Sequence, residues 1–192
     1  MAETIMQNPE HLSAVELEAG LDHIRRSPGD DGTLDLIVAR PQTNEREVLQ
    51  EGQLDADEGL IGDNWKVASA SYSKDGKPDY ESQINIMNAR AAALIAQSKD
   101  RWPLAGDQLY VDFDLSEENA PPGTRLAIGE AILEITPPPH LGCKKFTQRF
   151  GLDAMKFVNS DVGKALHLRG VNARIIQPGT IRVGDRVEKV AP

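Results

Sequence analysis

The shortness of the apolar segments is what most constrains this fold. Candidate strands alternate apolar and polar residues over 34–38, 83–87, 108–115, 124–128, 131–136, 170–176 and 185–190, with a weaker one at 46–49. Glycine and proline punctuate the gaps. Gly129-Glu130 joins two of the segments as a hairpin turn would, and Pro178-Gly179 and Gly184-Asp185 mark turns between the last ones. Helical spacing is scarcer. Ser13 can cap a helix carrying Glu16, Leu17, Leu21 and Ile24, which the run 27–32 then breaks. An alanine-rich run at 89–96 and the segment 149–159 predict two more helices, and the polar stretch 68–81 reads as an exposed loop. This pattern predicts a mainly β fold with a few helices, built as a barrel. It divides the chain into an N-terminal helical extension, 1–33, packed on the outside of one domain, 34–190.

Several function classes are disfavoured at once. No P-loop or dinucleotide fingerprint is present, and four scattered histidines give no Ser-His-Asp order. No apolar run reaches the length of a membrane span, and the start lacks a signal-peptide core, so the expectation is a cytoplasmic protein with no membrane partner. The net charge of -9 argues against nucleic acid as a partner. The charge is uneven, however. Residues 137–192 hold 10 Lys+Arg against 4 Asp+Glu, so a local anion site can exist inside an acidic protein. Mutual neutralisation of the two parts across the fold is the plainer alternative.

The basic part contains the one cysteine, Cys143, which excludes an intrachain disulfide and a multi-cysteine zinc site. Pro137-Pro138-Pro139 stiffens its approach, Gly142 leaves the neighbouring backbone open, and Lys144, Lys145 and Arg149 add positive charge. Positive charge favours thiolate, the nucleophilic and metal-binding form. A buried structural cysteine is the competing reading. His140 with Cys143 makes an H-x-x-C pair, a weak metal signal, and His140 is better read as a supporting residue. Gly62-Asp63 and Gly184-Asp185 read as turns, with Asp63 the one expected to face a pocket.

The ordered motifs resemble the MOSC-domain family, whose domain also ends the molybdenum-cofactor sulfurases. The resemblance runs from Leu36-Ile37-Val38-Ala39-Arg40-Pro41 through Gly59-Leu60-Ile61-Gly62-Asp63 and Gln83-Ile84-Asn85-Ile86-Met87. Gly106-Asp107-Gln108-Leu109 is similar to the family's G-E-N-L, and Thr124-Arg125-Leu126-Ala127-Ile128-Gly129 follows. Cys143 falls where the family carries its functional cysteine, with Lys145-Phe146 and Arg149-Phe150-Gly151 beyond it. Arg169-Gly170-Val171-Asn172-Ala173-Arg174 and the segment 179–185 are similar to the closing strands. Departures exist: Gly142 stands where many members have proline, and Asn64-Trp65-Lys66 where many have a histidine-glycine stretch.

The resemblance implies a β-barrel-like fold and a cysteine that either carries sulfur or ligates molybdenum held by a pterin dithiolene. The cofactor's phosphate makes Lys144, Lys145, Arg149 and Arg174 candidate anion contacts, and Asp63, Asp107, Gln108 and His140 complete the candidate cofactor-binding set. Cys143 is the candidate catalytic residue and metal ligand. Pyridoxal phosphate is expected only on a partner cysteine desulfurase; a redox partner is the other expectation, with a small molecule as substrate. Two readings compete: a non-catalytic barrel that binds an anionic ligand or a partner, and a metal-free thiol enzyme.

Overall fold

The computed structural model describes residues 10–192. In chain order the elements are α1 (Ala14–Ala19), α2 (Leu21–Arg25), β1 (Gly32–Ala39), β2 (Glu47–Leu49), β3 (Glu51–Asp55), β4 (Gly59–Leu60) and α3 (Trp65–Tyr72). There follow β5 (Ile84–Asn88), α4 (Ala89–Ala96), β6 (Leu109–Asp112), β7 (Arg125–Ile128) and β8 (Ala131–Pro139). The chain ends with α5 (Lys144–Phe150), α6 (Leu152–Asn159), α7 (Asp161–Ala165), β9 (Val171–Gln177), β10 (Gly179–Arg182) and β11 (Arg186–Val190).

Seven strands close into a barrel in the order β11-β7-β8-β9-β5-β6-β1, with β1 returning to β11; β2 adds to β1, and β10-β3-β4 form a small separate sheet. The β5–β6 pair is parallel and the other described pairs are antiparallel. A parallel neighbour needs a crossover, and α4 begins it directly after β5. Asn88 starts that helix by accepting a hydrogen bond from the Ala91 N–H at 2.9 Å. The predicted hairpin joins β7 to β8, with Ile128 opposite Ala131 and Gly129 at φ +56.

Two apolar layers share the barrel wall. Leu34, Ile37, Ile86, Leu109, Val111, Leu133 and Ala173 fill the interior. Leu36, Val38, Met87 and Tyr110 point outward from the same strands and are covered by α4, α1 and the aromatic side chains Phe146, Phe150 and Phe157. A register shift between Leu34 and Leu36 makes this arrangement possible. The extra residue, Asp35, puts Leu34 and Ile37 on one face, where strict alternation would put Leu34 and Leu36.

Three local expectations change. The helix expected from Ser13 onward has its capping box, but it divides at Gly20, where a methyl group would lie 2.5 Å from a Leu94 methyl. The helix predicted over 149–159 is two helices meeting at Gly151, whose φ of +90 no helix accepts. The loop expected over 68–81 begins as helix: Trp65, Ala68, Ser69 and Tyr72 recur with helical spacing along α3 and line one cleft.

Candidate functional site

A buried polar chain runs along one end of the barrel. It starts at Arg40, immediately after β1. The Arg40 guanidinium donates from Nε to Asp63 Oδ2 at 2.8 Å and from Nη2 to Asp63 Oδ1 at 2.9 Å. Its Nη1 reaches Asn85 Oδ1 at 3.1 Å and the Gly106 carbonyl at 2.9 Å. The Asp63 side chain is 0% exposed, and it also accepts from the Arg40 and Trp65 backbone N–H groups. Gln108 accepts from the Asn85 N–H, Asn85 donates to Asn172 at 2.6 Å, and Asn172 donates to the Pro138 carbonyl at 2.9 Å. Asp63 and Gln108 are thus joined, and the chain ends on β8, just before the cysteine loop.

A second buried group lies beside it. Arg169 donates from Nη1 to Asp107 Oδ2 at 2.6 Å and from Nη2 to the Ala105 carbonyl at 2.8 Å, and its guanidinium lies over the Phe146 ring. His140 Nδ1 sits 3.3 Å from Asp107 Oδ1, out of line for a good hydrogen bond. Burial pushes the Asp107 carboxyl above its ordinary range against the pull of Arg169. Burial, with the Arg169 and Arg40 charges, holds His140 well below its ordinary value.

This has a consequence for acid stability. The unfolded chain protonates His140 near 6.5, while the folded chain resists it. Stability should therefore fall as pH drops below 6.5, by at most about 1.4 kcal/mol per pH unit. Asp107 works the other way, because its folded value lies above the unfolded 3.8 and its proton uptake favours the folded chain. Urea midpoints measured from about pH 7 to 5 should decline in the wild type and flatten in His140→Gln. Parallel declines in both would remove His140 as the source.

Arginines converge around Gly106, which adopts φ +98. A methyl group there would lie 3.8 Å from Arg46 Nη2 and 4.0 Å from both Arg149 Nη1 and Arg169 Nη2. Arg40 and Arg169 each have a carboxylate. Arg46 and Arg149 have none among the described residues, and they hydrogen-bond to the Pro103 and Leu104 carbonyls instead. Burial, followed by the Arg149 and Arg40 charges, draws Arg46 below its ordinary value. Arg40 and Arg46 line a cleft of about 280 Å³ with Asn64, Trp65, Tyr72 and Lys145. The Trp65 Nε1–H is buried and has no partner among the described residues.

Cys143 is exposed. It directly precedes α5, the helix that carries Lys145 and Arg149. Asn159, at the end of α6, clamps the loop by accepting from the Gly142 N–H at 2.9 Å and donating to the Gly142 carbonyl at 3.0 Å. A side chain at residue 142 would meet a Val158 methyl at 2.9 Å, which accounts for glycine beside the thiol. Among the described residues no group of three or more His, Cys, Asp or Glu could hold a metal ion. Lys144 is exposed beside the thiol. Arg174 lies elsewhere, bound to Glu134 at 2.6 Å on the outside of the barrel with Arg125. Arg40, Arg46, Arg169, Asn85 and Asn172 were not singled out as site residues from sequence. Arg40 had a signal, since it follows an apolar strand with no turn residue between.

The MOSC-domain family model matches residues 80–188. No curated protein matches the sequence. Among solved structures, a hypothetical protein aligns at TM-score 0.58 and 18% identity over 84% of this chain and 69% of its own. The YuaD protein from Bacillus subtilis aligns at TM-score 0.55 and 16% identity, covering 82% of this chain and 94% of its own. YiiM from Escherichia coli aligns at TM-score 0.53 and 19% identity, covering 83% and 70%. At such identities these neighbours establish the barrel fold alone. The family match spans more than half of the sequence and includes the cysteine loop, so the chain belongs to the MOSC-domain family.

Proposed function

We propose that this protein acts through Cys143 on, or with, a molybdenum-pterin cofactor held at the arginine cleft. The observation that carries the reading is an exposed thiol next to a helix whose Lys145 lines a cleft with the uncompensated Arg46, and whose Arg149 reaches Asn44 at the cleft's edge. The residues fit the group. Arg46, Arg149 and Lys145 suit its phosphate, and the unpartnered Trp65 Nε1–H suits a neutral acceptor on the ring system. A single protein thiolate is a soft ligand appropriate to a metal whose remaining ligands come from the cofactor.

When bound, the cofactor would supply two-electron redox chemistry at the metal. The protein's own part is to hold the anion beside α3 and to fix the Gly142–Cys143 backbone through Asn159. In the sulfur-carrier variant of this reading, a partner cysteine desulfurase bearing pyridoxal phosphate donates the sulfur. The Cys143 thiolate attacks the outer sulfur of the partner's persulfide, and the partner's thiolate leaves. A redox partner takes that place in the oxidoreductase variant.

Molybdenum and labile-sulfur content of protein purified from cofactor-producing cells tests the proposal. The cleft has its own readout in pyrophosphate binding. Arg46→Ala with Arg149→Ala should weaken that binding about ten- to a hundredfold, since each removes a charge-assisted contact. Unchanged pyrophosphate affinity would dismiss the cleft as the anion site. Anion binding without molybdenum or labile sulfur would assign a non-catalytic binding module instead.

A further inference from the structure

The segment 140–145 lies between two depressions. Lys145 lines the arginine cleft, whereas His140 and Leu141 line a second pocket of about 500 Å³. We infer that this second pocket binds a small uncharged molecule with an apolar body and a head that donates a hydrogen bond to His140.

The walls set the body. Pro121, Pro122, Ile135, Pro138, Val158 and Val171 offer apolar surface, and the rigid proline rings lose little entropy when a flat ring packs on them. Charge balance sets the neutrality. The Arg169 charge in the floor is already matched by Asp107 at 2.6 Å. Lys164 and Glu117 also line the pocket, but both side chains are exposed to solvent. An ionised ligand would therefore leave water without a desolvated counter-charge in the apolar part of the pocket.

The donating head follows from the orientation of His140. Its Nδ1 lies 3.3 Å from Asp107 Oδ1 while Arg169 holds the other carboxylate oxygen at 2.6 Å, so a ring proton on Nδ1 avoids setting two lone pairs face to face. The opposite edge, Nε2, then presents a lone pair to the pocket, and no described residue donates to it. His140 is 17% exposed and held neutral, so the lone pair is available. An alcohol, amide or similar N–H or O–H group satisfies it.

The inference does not depend on bound cofactor, and the experiment uses the full chain without it. Toluene, anisole and benzyl alcohol share a body and differ in the head: none, acceptor only, and donor. Methyl NMR at Ile135, Leu141, Val158 and Val171 reads binding at this pocket, apart from the arginine cleft. Benzyl alcohol should bind about fivefold more tightly than either of the others, the worth of one net hydrogen bond. His140→Phe should erase that preference, and His140→Gln, which keeps an acceptor near the Nε2 position, should restore much of it. Equal affinities for the three probes, or tighter binding of anisole, would overturn the assignment. So would shifts confined to methyls outside the pocket. Either failure leaves the cofactor proposal standing, because pyrophosphate and molybdenum are read at the other cleft.

Discussion

Cys143→Ser should fold as the wild type does and yet carry neither molybdenum nor labile sulfur. The thiol is exposed, and its sulfur makes no capping hydrogen bond to α5, so the folded state loses no buried contact. Serine is a better helix cap than cysteine, and stability should stay within about 0.5 kcal/mol or rise slightly. Serine oxygen is hard and cannot hold a persulfide, so the bound element should fall to background. The measurements are thermal unfolding and elemental analysis on the same preparations. Alkylation gives an independent check: an exposed thiol should react fully in the native protein, before any unfolding. Wild-type molybdenum and sulfur levels in Cys143→Ser would remove the cysteine from the chemistry.

Asp63→Ala should be far more damaging than Asp185→Ala. It strips the carboxylate from Arg40, a partly buried guanidinium, and leaves the Arg40 and Trp65 backbone N–H groups without acceptors. Breaking a buried pair by removing one partner costs about 3–5 kcal/mol. Asp185→Ala removes an acceptor for the Arg182 N–H at the edge of a turn and should cost about 1 kcal/mol. Urea denaturation of the two variants checks the contrast. The consequence for the site runs through Arg40, which lines the cleft and would lose its anchor. At matched folded yield, Asp63→Ala should therefore also bind pyrophosphate less well than Asp185→Ala. Equal stability losses would mean that Arg40 finds another partner.

The barrel was legible because its strands are short and alternate, and several, such as β7, β8 and β9, end at glycine or proline. The β7–β8 hairpin is the clearest case, since Gly129-Glu130 leaves no room for anything but a tight turn. The inner and outer faces of β1 were not legible. Leu34-Asp35-Leu36-Ile37-Val38 gives no warning that Asp35 is an extra residue, because a bulge is set by the partner strand. Helix α3 hid in a polar stretch, since Ser69 and Ser71 lower intrinsic helicity and the buried Trp65 anchors one end. The cysteine loop and its basic helix could be read locally. The arginine cluster could not: Arg40 and Arg46 are far in sequence from Arg149 and Arg169, and the two pairs meet only where the fold brings their segments around Gly106.

Closure has another consequence, for how copies of this protein behave in a crowded solution. Exposed strand edges let one molecule template another, and a barrel sealed by β1 on β11 removes most of them. Among the described residues the remaining edges belong to β2, β4 and β10, of three, two and four residues. Glu47 and Arg182 put charge on two of these. Edges this short offer too few unpaired backbone groups to seed an intermolecular sheet. The fold can therefore leave its cysteine loop open to solvent while giving neighbouring chains little backbone to pair with.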